Sequence, residues 1–234
     1  MQAVILAGGL GTRLWPVTKS IPKPMAPVAG VPYLEHQLRV LGQQAITDIV
    51  ILTGYLGEQI EEYFGGGSRL GLRIRYSREL TPIGTGGALR QARDLLEEDF
   101  LLIYGDSYLP IDYRAPLELL RARDATGLLV LYRDPSGETD VHPNVAMNAE
   151  GLITRYDKES RGDPELQYVE AGVLAFRRQV VAQIPIPPDG VVSLEKEVFP
   201  KLIASHALLG WPTSERFYDI GTPERLRAIE ALFA

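Results

Sequence analysis

The stretch Gln2-Ala3-Val4-Ile5-Leu6-Ala7-Gly8-Gly9-Leu10-Gly11-Thr12-Arg13 decides the fold, and ten residues after Arg13 stands Lys23, between Pro22 and Pro24. A short apolar run that ends in glycines reads as a buried strand feeding a tight turn. The turn leaves backbone N–H groups bare and sets Thr12 and Arg13 beside them. A glycine pair alone fits a strand–helix turn with no ligand. A guanidinium and a proline-flanked ammonium next to bare amides call for an anionic partner, and a polyphosphate is the best match.

Two familiar phosphate loops are excluded. A dinucleotide fingerprint starting at Gly9 needs glycine at position 14, which is Leu14, and no Gly-Lys-Ser/Thr follows the glycines. Apolar runs then alternate with helical patterns. Asp48–Thr53, Leu72–Tyr76, Phe100–Tyr104 and Leu128–Tyr132 read as buried strands. Leu34, Leu38 and Leu41 share a helix face, and helices are expected over 56–64 and 88–97. Such alternation predicts an α/β fold, a Rossmann-like, mostly parallel sheet flanked by helices, with ligands at the carboxyl ends of the strands. Beyond residue 134, short strands are expected at 145–147, 152–154 and 169–176, and helices at 193–203 and 223–233. The expectation is one domain over 1–234, its 1–134 half mainly nucleotide-binding and its 135–234 half a smaller mixed β part.

Composition narrows the function. The 234 residues carry 24 Lys and Arg against 30 Asp and Glu, a net charge of −6, which argues against general nucleic-acid binding. The absence of cysteine excludes disulfides and thiolate chemistry. No basic leader precedes the first apolar run, and no run approaches the ~18 apolar residues of a membrane span, so a cytoplasmic protein without membrane attachment is expected. The three histidines, at 36, 142 and 206, lack metal spacing. A homo-oligomer is compatible with everything read so far.

A second glycine loop, Gly84-Thr85-Gly86-Gly87, offers a flat backbone surface to a base, edged by Glu79 and Thr85. Asp106 ends an apolar strand, where a carboxylate can hold a hard cation, and Asp219, before Gly221-Thr222-Pro223, is the expected second carboxylate.

The string from Leu6 to Gly30, LAGGLGTRLWPVTKSIPKPMAPVAG, resembles the signature of the sugar-1-phosphate nucleotidyltransferases, which make NDP-sugars from an NTP and a sugar 1-phosphate. The resemblance extends along essentially the whole chain. It implies nucleotide contacts from Leu6, Ala7, Gly8, Gly9, Gly11, Thr12, Arg13 and Lys23, and from Glu79, Gly84, Thr85, Gly86 and Gly87. It implies Mg²⁺ on Asp106 and Asp219, with Arg13, Lys23 and Asp106 in catalysis. Lys158, Glu170, Gly172 and Glu195 match positions around the sugar phosphate, and each taken alone also reads as a surface or helix-start residue. The segments 24–30 and 193–196 look most like heptose- and mannose-1-phosphate guanylyltransferases. Uridylyl- and thymidylyltransferases share much of the pattern, and a non-catalytic nucleotide-sugar binding subunit stays open. A glycosyltransferase is disfavoured because Asp106-Ser107-Tyr108 lacks the second aspartate of a D-x-D pair. The chain runs one helix past Asp219, so a bare catalytic domain is expected, without the C-terminal β-helix of longer relatives.

Overall fold

The computed structural model describes residues 1–134, 137, 139, 141–185 and 190–233. Residue 135, where the two halves are expected to meet, lies outside them. Seven strands form the central sheet: β1 (Gln2–Ala7), β2 (Asp48–Thr53), β3 (Arg73–Arg78), β4 (Asp99–Tyr104), β5 (Gly127–Tyr132), β6 (Val169–Arg177) and β7 (Leu208–Thr213). Their spatial order is β7-β5-β6-β4-β1-β2-β3. Only β6 runs against its neighbours β4 and β5; the other pairings are parallel.

The inner strands β1, β2, β4 and β5 read as nearly unbroken apolar runs because both faces are covered. Ala3 and Ile5 of β1, Ile49 and Ile51 of β2, and Leu101 and Ile103 of β4 point into one core. That core also takes Leu34, Leu38 and Leu41 of α1 (Tyr33–Gln43), Ile60 and Phe64 of α2 (Gly57–Phe64), and Leu117 and Leu120 of a later helix, Arg114–Ala122. Val4, Val50, Leu52, Phe100 and Leu102 point the other way, against Leu89 of α3 (Gly84–Gln91) and Phe199 and Leu202 of Phe199–Ala204. Burying each large side chain stabilises by about 1.5–3 kcal/mol, so this two-faced sheet is a rigid base for the loops at its ends. The helix Arg114–Ala122 is α4, Phe199–Ala204 is α5, and the last helix, α6, spans Pro223–Phe233. Ile229 of α6 closes a third, smaller core with Leu14, Val28, Tyr33 and Ile220, so the end of the chain packs against its opening loop.

Two expectations about helices are revised, and the second half's expected strands divide between two places. The smaller β part of the second half is, among the described residues, the ribbon Val145–Met147 with Ile153–Tyr156, while β6 and β7 join the central sheet. Helix α3 begins at Gly84 and ends at Gln91, with a 3₁₀ turn over Arg93–Leu95, rather than running 88–97. The region 193–203 opens as a π-helical turn, Leu194–Val198, before α5.

Candidate active site

The parallel strands end at one rim. Past β1, residues 8–11 leave the sheet, and Gly105 past β4 donates its N–H to the Leu6 carbonyl at 2.9 Å. Among the described residues no hydrogen bond engages the N–H groups of Gly9, Leu10 and Gly11. The chain then takes 3₁₀ turns at Thr12–Leu14, Val17–Lys19 and Lys23–Met25, and Thr18 of the middle turn donates its hydroxyl to the Gly11 carbonyl at 2.8 Å, tying that turn back to the residue before the first. This fold-back buries Lys23 to 9% exposure and pairs its ammonium with the Asp106 carboxylate.

Two cavities meet here. One, of about 340 Å³, has Leu6, Leu52, Pro82, Ala88 and Tyr104 as apolar walls, with Ala7, Gly8, Gly9, Glu79, Gly84, Thr85 and Glu195 also lining it. The other, of about 320 Å³, is lined by Gly9, Gly11, Thr12, Arg13 and Gly221. Lys23 and Asp106 line both. The expected cations, carboxylate and glycine turn therefore share one continuous hollow.

Gly86 and Gly87 sit differently. Their N–H groups point to the Val192 carbonyl, at 2.9 and 3.4 Å, and the Val192 N–H donates back to Ile83 at 2.8 Å. Their lack of side chains answers to packing against Val192 and Ile83 rather than to an open platform. Gly84, at φ +77°, starts the helix where any Cβ would collide with the Val192 carbonyl. Of this loop, Gly84 and Thr85 reach the cavity.

Lys158, Glu170 and Glu195 converge from distant parts of the chain. The Lys158 ammonium stands 3.7 Å from a carboxylate oxygen of each, and over the rings of Tyr104 and Tyr156 at 5.6 Å. Burial pushes Glu170 up, only partly offset by Lys158 and by the Gly172 N–H it accepts at 2.7 Å. Burial also acts on Glu195, but Lys158 and donors including Ser193 and Tyr104 outweigh it and hold that carboxyl low. Tyr104 donates to one Glu195 oxygen at 2.8 Å, and Thr85 and Ser193 to the other at 2.9 and 2.7 Å. Gly172, at φ +79°, lies where a Cβ would meet Ser107 at 2.5 Å, so its close approach is to the strand end beside Asp106.

Asp219 and Ser107 pair across a short antiparallel ribbon, and the Ile220 N–H donates to the Asp106 carbonyl at 3.0 Å. The Asp219 carboxylate accepts the Gly221 N–H at 2.6 Å and the Arg225 guanidinium at 2.8 Å. Gly221 lines the second cavity; Asp219 is not among its lining residues. No group of three or more His, Asp or Glu able to hold a metal occurs among the described residues. Two carboxylates on adjoining backbone fit a Mg²⁺ that arrives on phosphate oxygens, since that ion takes one or two carboxylates and fills its shell with water and phosphate.

Sequence reasoning missed Tyr104, Tyr156, Ser193 and Arg225. The tyrosines lie within apolar strand patterns, and Arg225 looks like one more charge on a surface helix. Their roles depend on partners up to 91 positions away. Among the described residues no helix is long and apolar enough to cross a membrane.

Residues 2–233 match the family described as nucleotidyl transferase. The chain is 36% identical over 227 residues to a mannose-1-phosphate guanylyltransferase of Mycobacterium tuberculosis, covering 96% of this chain and 62% of that protein. It thus spans less than two thirds of that relative's length. It is 32% identical over 228 residues to a D-glycero-alpha-D-manno-heptose 1-phosphate guanylyltransferase of Aneurinibacillus thermoaerophilus, covering 97% and 96% of the two chains. HddC from Yersinia pseudotuberculosis, solved with GMP-PN, superposes with a TM-score of 0.82 at 24% identity over 100% of this chain and 99% of that one. At that identity the likeness concerns the fold alone. From the family match across nearly its full length, joined to the two sequence identities, the chain belongs to the nucleotidyl transferase family, among the sugar-1-phosphate nucleotidyltransferases.

Proposed function

We propose that the chain condenses an NTP with a sugar 1-phosphate, giving an NDP-sugar and pyrophosphate, and that it is a guanylyltransferase acting on a heptose or mannose 1-phosphate. One observation carries the reading: Lys23 and Asp106 stand at the junction of an apolar-walled cavity suited to a nucleoside and a cation-lined one suited to phosphates. The identities to a mannose- and a heptose-1-phosphate guanylyltransferase support the finer choice.

In the proposed reaction an oxygen of the sugar phosphate attacks the α-phosphorus in line. The bond from that phosphorus to the bridging oxygen breaks, and the electron pair leaves with pyrophosphate. The nucleophile is already an anion, so no strong general base is needed. The barrier is repulsion between polyanions, and catalysis is positioning and charge neutralisation. Arg13 and the bare amides of residues 9–11 hold the β- and γ-phosphates, Lys23 the α-phosphate region, and Lys158 the incoming phosphate. Glu170 and Glu195 hold Lys158 in place. Asp106 and Asp219 would hold Mg²⁺, whose charge neutralises phosphate oxygens. The test is a matrix of four NTPs against a panel of sugar 1-phosphates, read as pyrophosphate release. Pyrophosphate formed with a hexose or heptose 1-phosphate supports the reading; NDP release, or nucleotide binding without turnover, overturns it.

A further inference from the structure

The turn Tyr104-Gly105-Asp106-Ser107 presents the Asp106 carboxylate, and neighbouring elements hold it by its backbone. The Gly105 N–H reaches the Leu6 carbonyl of β1 at 2.9 Å, and the Asp106 carbonyl accepts the Ile220 N–H at 3.0 Å. The carbonyls of Tyr104 and Ser107, on either side of Gly105-Asp106, both accept from one side chain. That side chain is Gln37 of α1, whose amide –NH₂ donates to them at 3.1 and 2.8 Å.

Gln37 is 1% exposed. It stands in the same helix stripe as Leu34, Leu38 and Leu41, which are apolar and pack into the core against the sheet. Burying an amide costs stability unless its polar atoms are paired. Here the two hydrogens are paired, and Oε1 has no hydrogen-bond partner among the described residues. A core position thus tolerates an unsatisfied acceptor where an apolar side chain would fit the stripe. What it gains is a two-point grip on the turn that carries Asp106.

One helical turn earlier, α1 grips the other half of the ion pair. The Tyr33 N–H donates to the Ala26 carbonyl at 2.9 Å, and the Ala26 N–H donates to the Lys23 carbonyl at 3.1 Å. From Tyr33 to Gln37 the helix rises about 6 Å, a spacing fixed by its own hydrogen bonds. We propose that Gln37 is a positioning residue for nucleotidyl transfer: with the start of α1 as a ruler, it sets the Asp106 carboxylate at a fixed place relative to Lys23 and the bound phosphates. The catalytic consequence rests on the proposed reaction, in which a displacement of about 1 Å can cost about 10²-fold in rate.

The experiment compares Gln37→Met with Gln44→Met. Both keep the length of the side chain and remove an amide from α1 or its end. Gln44, at the far end of the helix, donates to the Ile111 carbonyl and accepts the Tyr113 N–H, each at 2.8 Å, so it controls for lost structural hydrogen bonds. With the NTP and sugar 1-phosphate that wild type uses best, Gln37→Met should lower kcat by about 10- to 100-fold while KM for both substrates changes little. Gln44→Met should lose stability and keep kcat. Urea midpoints give a readout without turnover: Lys23→Met should shift the midpoint less in the Gln37→Met background than in wild type, and by the wild-type amount in the Gln44→Met background. A kcat retained by Gln37→Met, or one lost equally by Gln44→Met, overturns the proposal and leaves the reaction class standing. If wild type turns over no NTP with any sugar 1-phosphate, the reaction class fails and the midpoints decide alone; additive shifts of Gln37→Met and Lys23→Met then overturn the positioning role. If Gln37→Met does not fold, Gln37→Glu takes its place, since it keeps the shape and has at most one donor instead of two.

Discussion

Lys23 and Asp106, 83 positions apart, form an ion pair in which the ammonium is almost fully enclosed and the carboxylate keeps one side toward the hollow. Each group neutralises the other before any substrate binds. In the proposed reaction a magnesium–triphosphate complex would bring complementary charges for both, and the pair would exchange partners on binding. Lys23→Met should therefore do two things. It leaves a half-buried carboxylate without its counter-ion and should destabilise by about 1–3 kcal/mol in urea denaturation. It should also lower turnover by about 10²–10³, measured as pyrophosphate release. A Lys23→Met enzyme with unchanged turnover would remove Lys23 from catalysis.

Arg13 offers the contrast. Its side chain is exposed on the 3₁₀ turn, and among the described residues it takes part in no ion pair. Arg13→Ala should cost turnover about 10²–10³ as well, while its stability stays within about 0.5 kcal/mol of wild type. Loss of both together would assign Arg13 a structural role instead.

Gly172 and Ser107 test the geometry beneath the carboxylates. Gly172→Ala puts a methyl about where the Ser107 side chain lies and forces a left-handed backbone onto alanine. The expected loss is about 1–3 kcal/mol of stability, together with reduced activity, because Ser107 adjoins Asp106. Adding Ser107→Gly should recover part of that loss and not all of it, since the backbone strain stays. The measurement is a double-mutant cycle by chemical denaturation.

Far from the hollow, Glu35 is 1% exposed and accepts hydrogen bonds from Arg69, Arg39 and Tyr63. Hydrogen bonding from Arg69 outweighs burial and, with Arg39 and Tyr63, brings its pKa down from 4.5 to about 2. A depressed carboxyl stabilises the fold fully above its unfolded pKa, and that contribution disappears as pH falls toward the folded value. The full shift corresponds to at most about 3 kcal/mol, less after solvent screening of two half-exposed guanidiniums. Wild type should exceed Glu35→Gln in stability at pH 6, and the gap should narrow steadily between about pH 4.5 and 2. Urea midpoints at pH 6, 4 and 3 measure it; a constant gap would show that packing and not charge separates the two proteins.

The central strands were legible because double burial writes them as continuous apolar runs, as in Asp48–Thr53 and Phe100–Tyr104. Strand β7 was not, because Gly210 and Pro212 argue against a strand; it tolerates Pro212 because it lies at the sheet edge. Helix α4 carries Pro116, which its first turn accepts and a reader of the sequence counts against it. The glycines at 84–87 read as loop, and only their seat on Val192 makes them helix. The placement of Arg13, Lys23 and Asp106 around one hollow followed from local pattern plus the rule that α/β ligands bind at strand ends. The partners of Glu195 and Asp219 could not be read, because Tyr104, Lys158 and Arg225 meet them only through tertiary contacts that no spacing encodes.

The reversed direction of β6 has an evolutionary corollary. Because that strand enters the sheet at the rim where its neighbour β4 leaves it, Glu170 and Gly172 at its start stand at the same rim as Asp106, with Gly172 against Ser107 and Glu170 beside Lys158. The glycine turn and the Lys23 segment hang from a different strand, β1. Under the proposed reaction, rewriting residues 159–168 would reshape the acceptor side while Arg13, Lys23 and Lys158 stay in place. A lineage running the proposed reaction could thus diversify the sugars it activates by loop exchange alone, on an unaltered frame.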